Sequence, residues 1–513
     1  MNDTTTWEQS AVTILTFLPV VGALVIALVP GGRDRAARVL GVLFSGAALA
    51  VGIAILFGFD YGAGSGLQFE LKTTWITSIG AGYHVGLDGI NLPLVELTLL
   101  TTFLCAVYTL NRVPPGGSSK AFVSLMLLLE TGMLGTFVAF DLVLFFVFWE
   151  MVLVPMYFMI GIWGSGNRAY AATKFFLFTF FGSVFMLLAF IGLSLQAEPH
   201  TFDIQALGDS GTVISHGLQL LLFGGMFLGF AVKVPMWPLH TWLPDAHTEA
   251  PTVGSVLLAG VLLKMGAYGF IRIAFPLLPD AARTFAPWIA VLATIAIVYA
   301  SLACLAQRDL KRLIAYSSVG HMGFVMLGIA TMTSIGINAA IFGMVAHGVI
   351  TGMLFFEVGS IYDRYHTRQI SEIGGGMMKV MPRMGAVFWL TAIASLGLPG
   401  LAGFWGEVLA LFAAYQPGPG LNVGLYRTLM VFGGIGTILT AGYLLWTVQR
   451  VNMGVLPERW DKPEAKLVDT SRGEWLAWAP LVALTVLLGL VPSLIFGITN
   501  DAVTAIGRFL GGG

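Results

Sequence analysis

The chain has 513 residues, 57% of them hydrophobic and only 10% charged, with a net charge of -1 and a mean hydropathy of +0.85. Soluble domains carry about 25% charged residues, so these values exclude a soluble globular protein and predict one that crosses a membrane many times. No basic patch is large enough to bind nucleic acid.

The opening MNDTTTWEQS lacks the basic start of a cleavable signal peptide, so the first apolar run is expected to stay as a helix. Runs long enough to cross a bilayer fall at 11–30, 37–57, 88–110, 121–140, 142–162, 173–195 and 217–239. They continue at 253–275, 285–305, 312–331, 336–361, 384–414, 428–449 and 474–496. The predicted fold is all-α and polytopic, with about 14 transmembrane helices. The two cysteines, Cys105 and Cys304, lie within apolar runs and read as small core residues.

Lys and Arg set the orientation. The odd-numbered loops hold Arg33, Arg35, Arg38, Arg112, Lys120, Arg168, Lys174, Arg308, Lys311 and Arg312, and further along Arg364, Arg368, Lys379, Arg383, Arg450, Arg459, Lys462, Lys466 and Arg472. The even loops and the tail hold Lys72, Arg272, Arg283, Arg427 and Arg508. The positive-inside rule then predicts cytoplasmic odd loops and both termini outside.

Two spans are expected to be broken. In the seventh, Pro235 and Pro238 follow Lys233 and each removes a backbone donor. In the twelfth, Gly397, Pro399, Gly400 and Gly403 interrupt the run before Glu407. Irregular backbone at membrane depth is tolerated beside a protein-lined or wet cavity. Breaks in helices 7 and 12 match if helices 4–8 and 9–13 are two five-helix repeats, and an odd helix count per repeat forces inverted topology. The expected division is residues 1–115 for helices 1–3, 116–276 and 277–455 for the two repeats, and 456–513 for helix 14 and the tail.

Several ionisable residues fall deep inside these runs. Glu150, in FFVFWEMVLVPMYF, lies nine residues beyond Asp141, which puts its carboxyl roughly 13 Å deep at 1.5 Å per residue. A charge at that depth costs about 2.5–3.5 kcal/mol on insertion scales. A carboxyl reaching back to the interface is the structural alternative, and the depth argues against it. Lys233 sits at the helix-7 break, where its amine could meet freed carbonyls or act as a plug. Lys264, about eleven residues into its span, has no acid nearby on its own helix and should face the bundle interior. Glu407 follows the glycine-rich break. His321 and His347 lie in the tenth and eleventh spans and titrate near neutrality, so either can relay a proton or simply hydrogen-bond between helices. Glu130 is also deep and could neighbour Glu150 or pair with a lysine. For Glu357, two turns before Arg364, a local ion pair is expected.

Desolvation raises the pKa of a buried Glu and lowers that of a buried Lys, and a nearby opposite charge does the reverse. A Glu–Lys arrangement that gains and loses contact or water can therefore take a proton from one side and release it to the other. The loop HTWLPDAHTEAPT, with His240, Asp245, His247 and Glu249, matches no metal-ligand spacing. It reads as a turn that supports Lys233. No P-loop and no dinucleotide fingerprint occurs.

The segments FFVFWEMVLVPMYF, KVPMWPLHTWLPDAHTEAPT, LLKMGAYG, RDLKRLIAYSSVGHMGF and IYDRYHTR resemble the antiporter-like subunits of respiratory NADH:quinone oxidoreductase, complex I. The resemblance spans about residues 80–455 and is closest to the chain M type. VPMYFMIGIWG and the acid Glu407, where sister chains usually carry lysine, favour that type. So does the short stretch after the last span, which leaves no room for a long lateral helix. The resemblance implies that Glu150 and Lys233 pair, Lys264 is the central relay, Glu407 ends the path and His321 and His347 connect its halves. It implies no cofactor in this chain, with NADH, FMN, iron–sulfur clusters and quinone in partner subunits. The implied partners are the other complex I membrane subunits, of chain L and N types, in a bacterial cell membrane. A subunit of a multi-subunit cation/proton antiporter or of a membrane-bound hydrogenase is the alternative. A stand-alone solute carrier would need a substrate-sized polar cavity, and a pure scaffold would leave the midplane charges unexplained.

Overall fold

A computed structural model describes residues 6–509 except 63, 65, 210–213 and 463–466, and leaves the side chains of 507–509 undescribed. Residues 1–5, Lys466 and the Arg508 side chain, used in assigning the amino terminus and the orientation, thus lie outside the described residues. Among those described, 13 helices are long and apolar enough to cross a membrane. They are α1 (Thr6–Leu28), α2 (Asp34–Gly58), α3 (Leu92–Thr109), α4 (Ser119–Val138), α5 (Leu142–Trp163), α6 (Arg168–Ser194) and α7 (His216–Lys233). The series continues with α8 (Thr252–Leu277), α9 (Pro279–Leu305), α10 (Leu310–Ala330), α11 (Ser334–Tyr365), α13 (Val423–Val451) and α14 (Arg472–Leu490). The remaining crossing is made in two pieces, α12a (Pro382–Ser395) and α12b (Gly403–Tyr415). The expected helical, polytopic architecture is the observed one, with 13 helices of crossing length among the described residues and the twelfth predicted span in two shorter pieces.

Both breaks fall where the sequence predicts them. Helix α7 ends at Lys233, and the chain becomes helical again only over Trp242–Glu249. Between α12a and α12b, Gly397 and Gly400 adopt φ of 80° and 91°. L-residues reach that region only at a cost, so glycine is what lets the chain turn there.

Burial sorts the helices. The apolar window of α8 is 100% buried, and those of α11 and α10 are 94% and 89% buried, against 28% for α2 and 33% for α13. The helices that carry Lys264, His347 and His321 are therefore the innermost, and the helices around them present apolar faces to lipid. Helix α8 contains two wider, π-helical turns, Leu258–Leu262 and Phe270–Ala274. Such turns re-aim side chains within a helix and recur at functional sites.

Two features go beyond the predicted spans. Strands β1 (Gln68–Ile76) and β2 (Ala81–Leu87) pair antiparallel between α2 and α3. The predicted span 474–496 ends at Leu490 and is followed by a separate helix, α15 (Ser493–Phe509). Pro492 lacks the backbone donor needed to continue the α14 ladder. Helix α15 then docks on α11, where Thr499 Oγ1 donates to Asn338 Oδ1 at 2.5 Å.

Candidate functional site

The depth of Glu150 is set by a cap. Asp141 Oδ1 accepts from the amides of Val143 at 2.9 Å and Leu144 at 3.0 Å, and its Oδ2 accepts from the β2 amide of Gly82 at 2.9 Å. An N-cap carboxylate satisfies the orphan donors of the first turn, so α5 starts at a fixed level and carries Glu150 into the bundle. Ser183 on α6 and Lys233 on α7 are the polar groups that act on its carboxyl. No ion pair joins Glu150 to Lys233 among the described residues, and Glu150 Oε1 has no hydrogen-bond partner.

Lys233 does not meet freed carbonyls, contrary to expectation. Its amine has no hydrogen-bond partner and lies 5.1 Å from the centroid of the Trp149 ring, a cation–π contact worth roughly 0.5–2 kcal/mol. The carbonyls at the break are already taken: Val232 O accepts from Trp242 Nε1 at 2.9 Å and Ala231 O from the Met236 amide at 2.9 Å. The segment after the break thus supports Lys233 by holding the backbone beside it.

The remaining four predicted residues form one group. In the first wide turn of α8, the Ala259 carbonyl accepts a hydrogen bond from Lys264 Nζ, and the same Nζ lies 2.6 Å from His347 Nδ1 on α11. The rings of His347 and His321 are 5.7 Å apart. His321 then contacts Glu407 Oε1 through Nδ1 at 2.8 Å and Ser395 Oγ through Nε2 at 3.0 Å. Glu407 reaches this place because Gly406 has no side chain: a Cβ there would come within 2.6 Å of Gly343 Cα on α11. A cavity of about 30 Å³ lies among His321, His347, Ser395 and Glu407, large enough for a water between the two rings. The structure therefore gathers Lys264, His347, His321 and Glu407 into one group, with direct contacts from Lys264 to His347 and from His321 to Glu407 and a gap between the two histidines. Glu150 and Lys233 form a separate group, and α7, which carries Lys233, adjoins α8 through the packing of Phe230 and Val234 against Gly266.

Two expectations are corrected. Glu357 makes no ion pair with Arg364, which is held instead by Glu474 at 2.9 Å through both carboxylate oxygens. Glu357 is fully buried, with Thr391 Oγ1 at 3.4 Å. Glu130 pairs with no lysine: it is fully buried and neither carboxyl oxygen has a hydrogen-bond partner.

Two further residues complete the site. His247, fully buried, stacks on Phe355 with ring centroids 4.5 Å apart, and neither ring nitrogen has a hydrogen-bond partner. It lies within the electrostatic reach of both Lys264 and Lys311. Lys311 donates to the Ala250 carbonyl and lines a cavity of about 330 Å³ on the odd-loop face, with Arg112, Glu249, Asp363 and Arg368. The signal for His247 in the sequence was weak, because it follows the α7 break and no helix register fixed its depth. Cys105 and Cys304 are buried and unpaired.

Residues 139–433 match the family described as NADH:quinone oxidoreductase/Mrp antiporter, TM. The NADH-quinone oxidoreductase subunit M of Rhodobacter capsulatus is 43% identical over 512 residues, covering 96% of each chain. That of Rickettsia bellii is 40% identical over 97% of this chain and 98% of the relative. Among solved structures, a chain of respiratory complex I from Thermus thermophilus superposes with a TM-score of 0.86 at 29% identity, covering 98% of this chain and all of that one. The Mrp complex of Dietzia sp. shares the fold, with a TM-score of 0.81 at 21% identity over 97% of this chain and 52% of that one. The chain belongs to the antiporter-like membrane subunits of NADH:quinone oxidoreductase, of the subunit M type.

Proposed function

We propose that this chain moves protons across the membrane as part of the membrane arm of NADH:quinone oxidoreductase. The observation that carries the reading is the buried row Lys264–His347–His321–Glu407, with two direct contacts of 2.6 Å and 2.8 Å and a water-sized cavity between them. A proton entering at the odd-loop cavity passes Lys311 and His247 to Lys264, then along the two histidines to Glu407, which releases it. Glu150 and Lys233 sit one helix away as a charge pair held apart. Bringing them together favours the charged form of each, and separating them favours the neutral form. A conformational push on that pair is thereby felt at Lys264 next door.

NADH, FMN, iron–sulfur clusters and quinone belong to partner subunits in this reading, and the chain itself is a non-redox translocase. Its neighbours are further antiporter-like subunits, of chain L and N types. The chain lies in the bacterial cell membrane with odd loops cytoplasmic and both termini outside, as the Lys and Arg asymmetry favours. Helices 4–8 and 9–13 act as the two inverted repeats, each with its broken helix. Moving one charge against 100 mV takes about 2.3 kcal/mol, within reach of a redox-driven rearrangement. A cation/proton antiporter subunit would use the same fold and charges; the 40–43% identity to subunit M chains supports the oxidoreductase instead.

The test uses inverted membrane vesicles carrying Glu150→Gln, with Glu150→Asp as control, recording NADH-driven proton uptake, NADH oxidation and assembly together. Loss of uptake in the assembled Gln variant, with activity largely kept by Asp, is the expected result. Normal oxidation and uptake in an assembled Gln variant would remove Glu150 from the path.

A further inference from the structure

Lys264 is followed on the same face of α8, at i+4 and i+8, by Tyr268 and Arg272. The proton path above uses neither, yet both are buried and tightly held. Tyr268 Oη donates to the Phe137 carbonyl at the end of α4 at 2.9 Å and accepts from Arg272 Nε at 3.2 Å. Arg272 Nη2 meets both oxygens of Asp88, at 2.6 Å and 2.5 Å, and its guanidinium lies 4.9 Å from the centroid of the Phe140 ring. Asp88 Oδ1 also accepts from the amides of Ile90 at 2.9 Å and Asn91 at 3.2 Å. Asn91 in turn donates to Gly86 O at 3.0 Å and Phe137 O at 2.9 Å. The network therefore ties the end of β2, the start of α3, the end of α4 and α8 into one knot.

On its other side the knot faces a cavity of about 320 Å³, lined by Asp88, Arg272, Gln205, Asp209, Leu277 and Ala505. This cavity lies on the even-loop face, the one assigned to the outside. From Arg272 to Lys264 is eight residues of helix, about 12 Å. A wet cavity that close to a proton relay would let protons run back down the gradient. A fixed guanidinium repels hydronium and other cations at such a constriction. The contacts of its Nη2 with both Asp88 oxygens and of its Nε with the Tyr268 hydroxyl keep it from swinging aside.

We infer that Asp88, Arg272 and Tyr268 form a proton seal that closes the outer side of the helix-8 relay. They act as positioning and barrier residues, not as carriers. The inference rests on Lys264 being a relay residue, and the experiment separates the two claims.

The whole complex is reconstituted in liposomes, and passive proton flux down an imposed gradient is measured without NADH, beside NADH oxidation with NADH. Arg272→Gln removes the barrier charge and leaves Asp88 free to bind protons. Passive flux should rise several-fold while NADH oxidation continues, and Arg272→Lys should restore most of the tightness. Adding Lys264→Met to the Arg272→Gln chain should abolish the rise. Tyr268→Phe, which keeps the ring and removes the hydroxyl, should give a smaller rise and serves if the Arg272 variant fails to assemble. Unchanged flux in whichever of these variants assembles overturns the seal. A rise that persists in the double variant overturns its link to Lys264. If instead Lys264→Met alone pumps normally, the relay reading fails, whatever the passive flux.

Discussion

At the residue scale, what sets Lys264 apart is the kind of partner it has. Its amine meets a backbone carbonyl and a histidine nitrogen, not a carboxylate. A buried Lys–Glu ion pair holds its proton in place; a Lys–His contact lets it be shared or passed on. His321 occupies the next position, touching Glu407 on one side and facing His347 on the other. Proton transfer through a positioned side chain is typically worth roughly 10²–10⁴-fold. His321→Ala is therefore expected to lower NADH-driven proton uptake at least about tenfold in assembled complex; uptake per NADH close to wild type would take His321 out of the path. Lys264, His321, His347 and Glu407 stood out in the sequence because each is an ionisable group deep inside a long apolar run. His247 did not, since nothing in the sequence told how far the chain travels after the α7 break. Glu357 was misread because Arg364 lies two turns away along the sequence, while in space Glu474 claims that arginine.

At the element scale, broken helices and caps place these groups. The α12 break depends on Gly400 at φ 91°. Placing a Cβ in the left-handed region costs about 1–2 kcal/mol, so Gly400→Ala should lower the thermal stability of the membrane arm by that amount and displace Glu407. Unfolding midpoints matched to wild type would contradict this. On the odd-loop face, Glu474 caps α14 through Ser471 and pairs with Arg364 at 2.9 Å and Arg112 at 3.0 Å. Removing one partner of a buried ion pair costs about 3–5 kcal/mol. Glu474→Ala should thus be among the most destabilising single changes in the chain, read by assembly yield and by melting of the purified complex.

The β1–β2 hairpin is held by Asp203, whose Oδ2 lies 2.6 Å from His84 Nδ1 and 2.8 Å from Lys72 Nζ. Burial alone would raise its pKa, but hydrogen bonds from His84, Lys72 and the Ala206 amide outweigh it and hold the carboxyl well below the usual range. A lowered folded pKa means that the stabilisation is fully present above the ordinary Asp value of about 3.9 and fades as pH falls through the folded value. Asp203→Asn should therefore loosen the hairpin at pH 7 by about 1.5–3 kcal/mol, and the difference from wild type should shrink only below pH of about 4. Amide exchange over residues 68–87 measures it; an equal loss of protection at all pH values would contradict the role of the charge. The hairpin escaped the sequence reading because its residues alternate only weakly between apolar and polar, and a two-stranded ribbon gains its stability from what it docks on.

At the scale of the whole molecule, Lys264, His321 and His347 of the proposed relay lie in the most buried helices, α8, α10 and α11, and Glu407 reaches them from α12b. The odd-loop cavity reaches Lys311 and the even-loop cavity stops at Asp88 and Arg272. Cavities thus open on both faces of the bundle, and in the proposed reading the group between each and Lys264 differs: a histidine on one, a fixed arginine on the other. The span count and the broken helices were legible from hydropathy and proline and glycine placement. The cavities were not, because they depend on which helix faces meet.

The most direct test of the central claim is the number of protons taken up per NADH oxidised by inverted vesicles carrying Lys264→Met, a near-isosteric change that removes the amine. A chain that carries protons through Lys264 predicts that this ratio falls while assembled complex still reaches the membrane. An assembled complex whose ratio and oxidation rate both match wild type would contradict it.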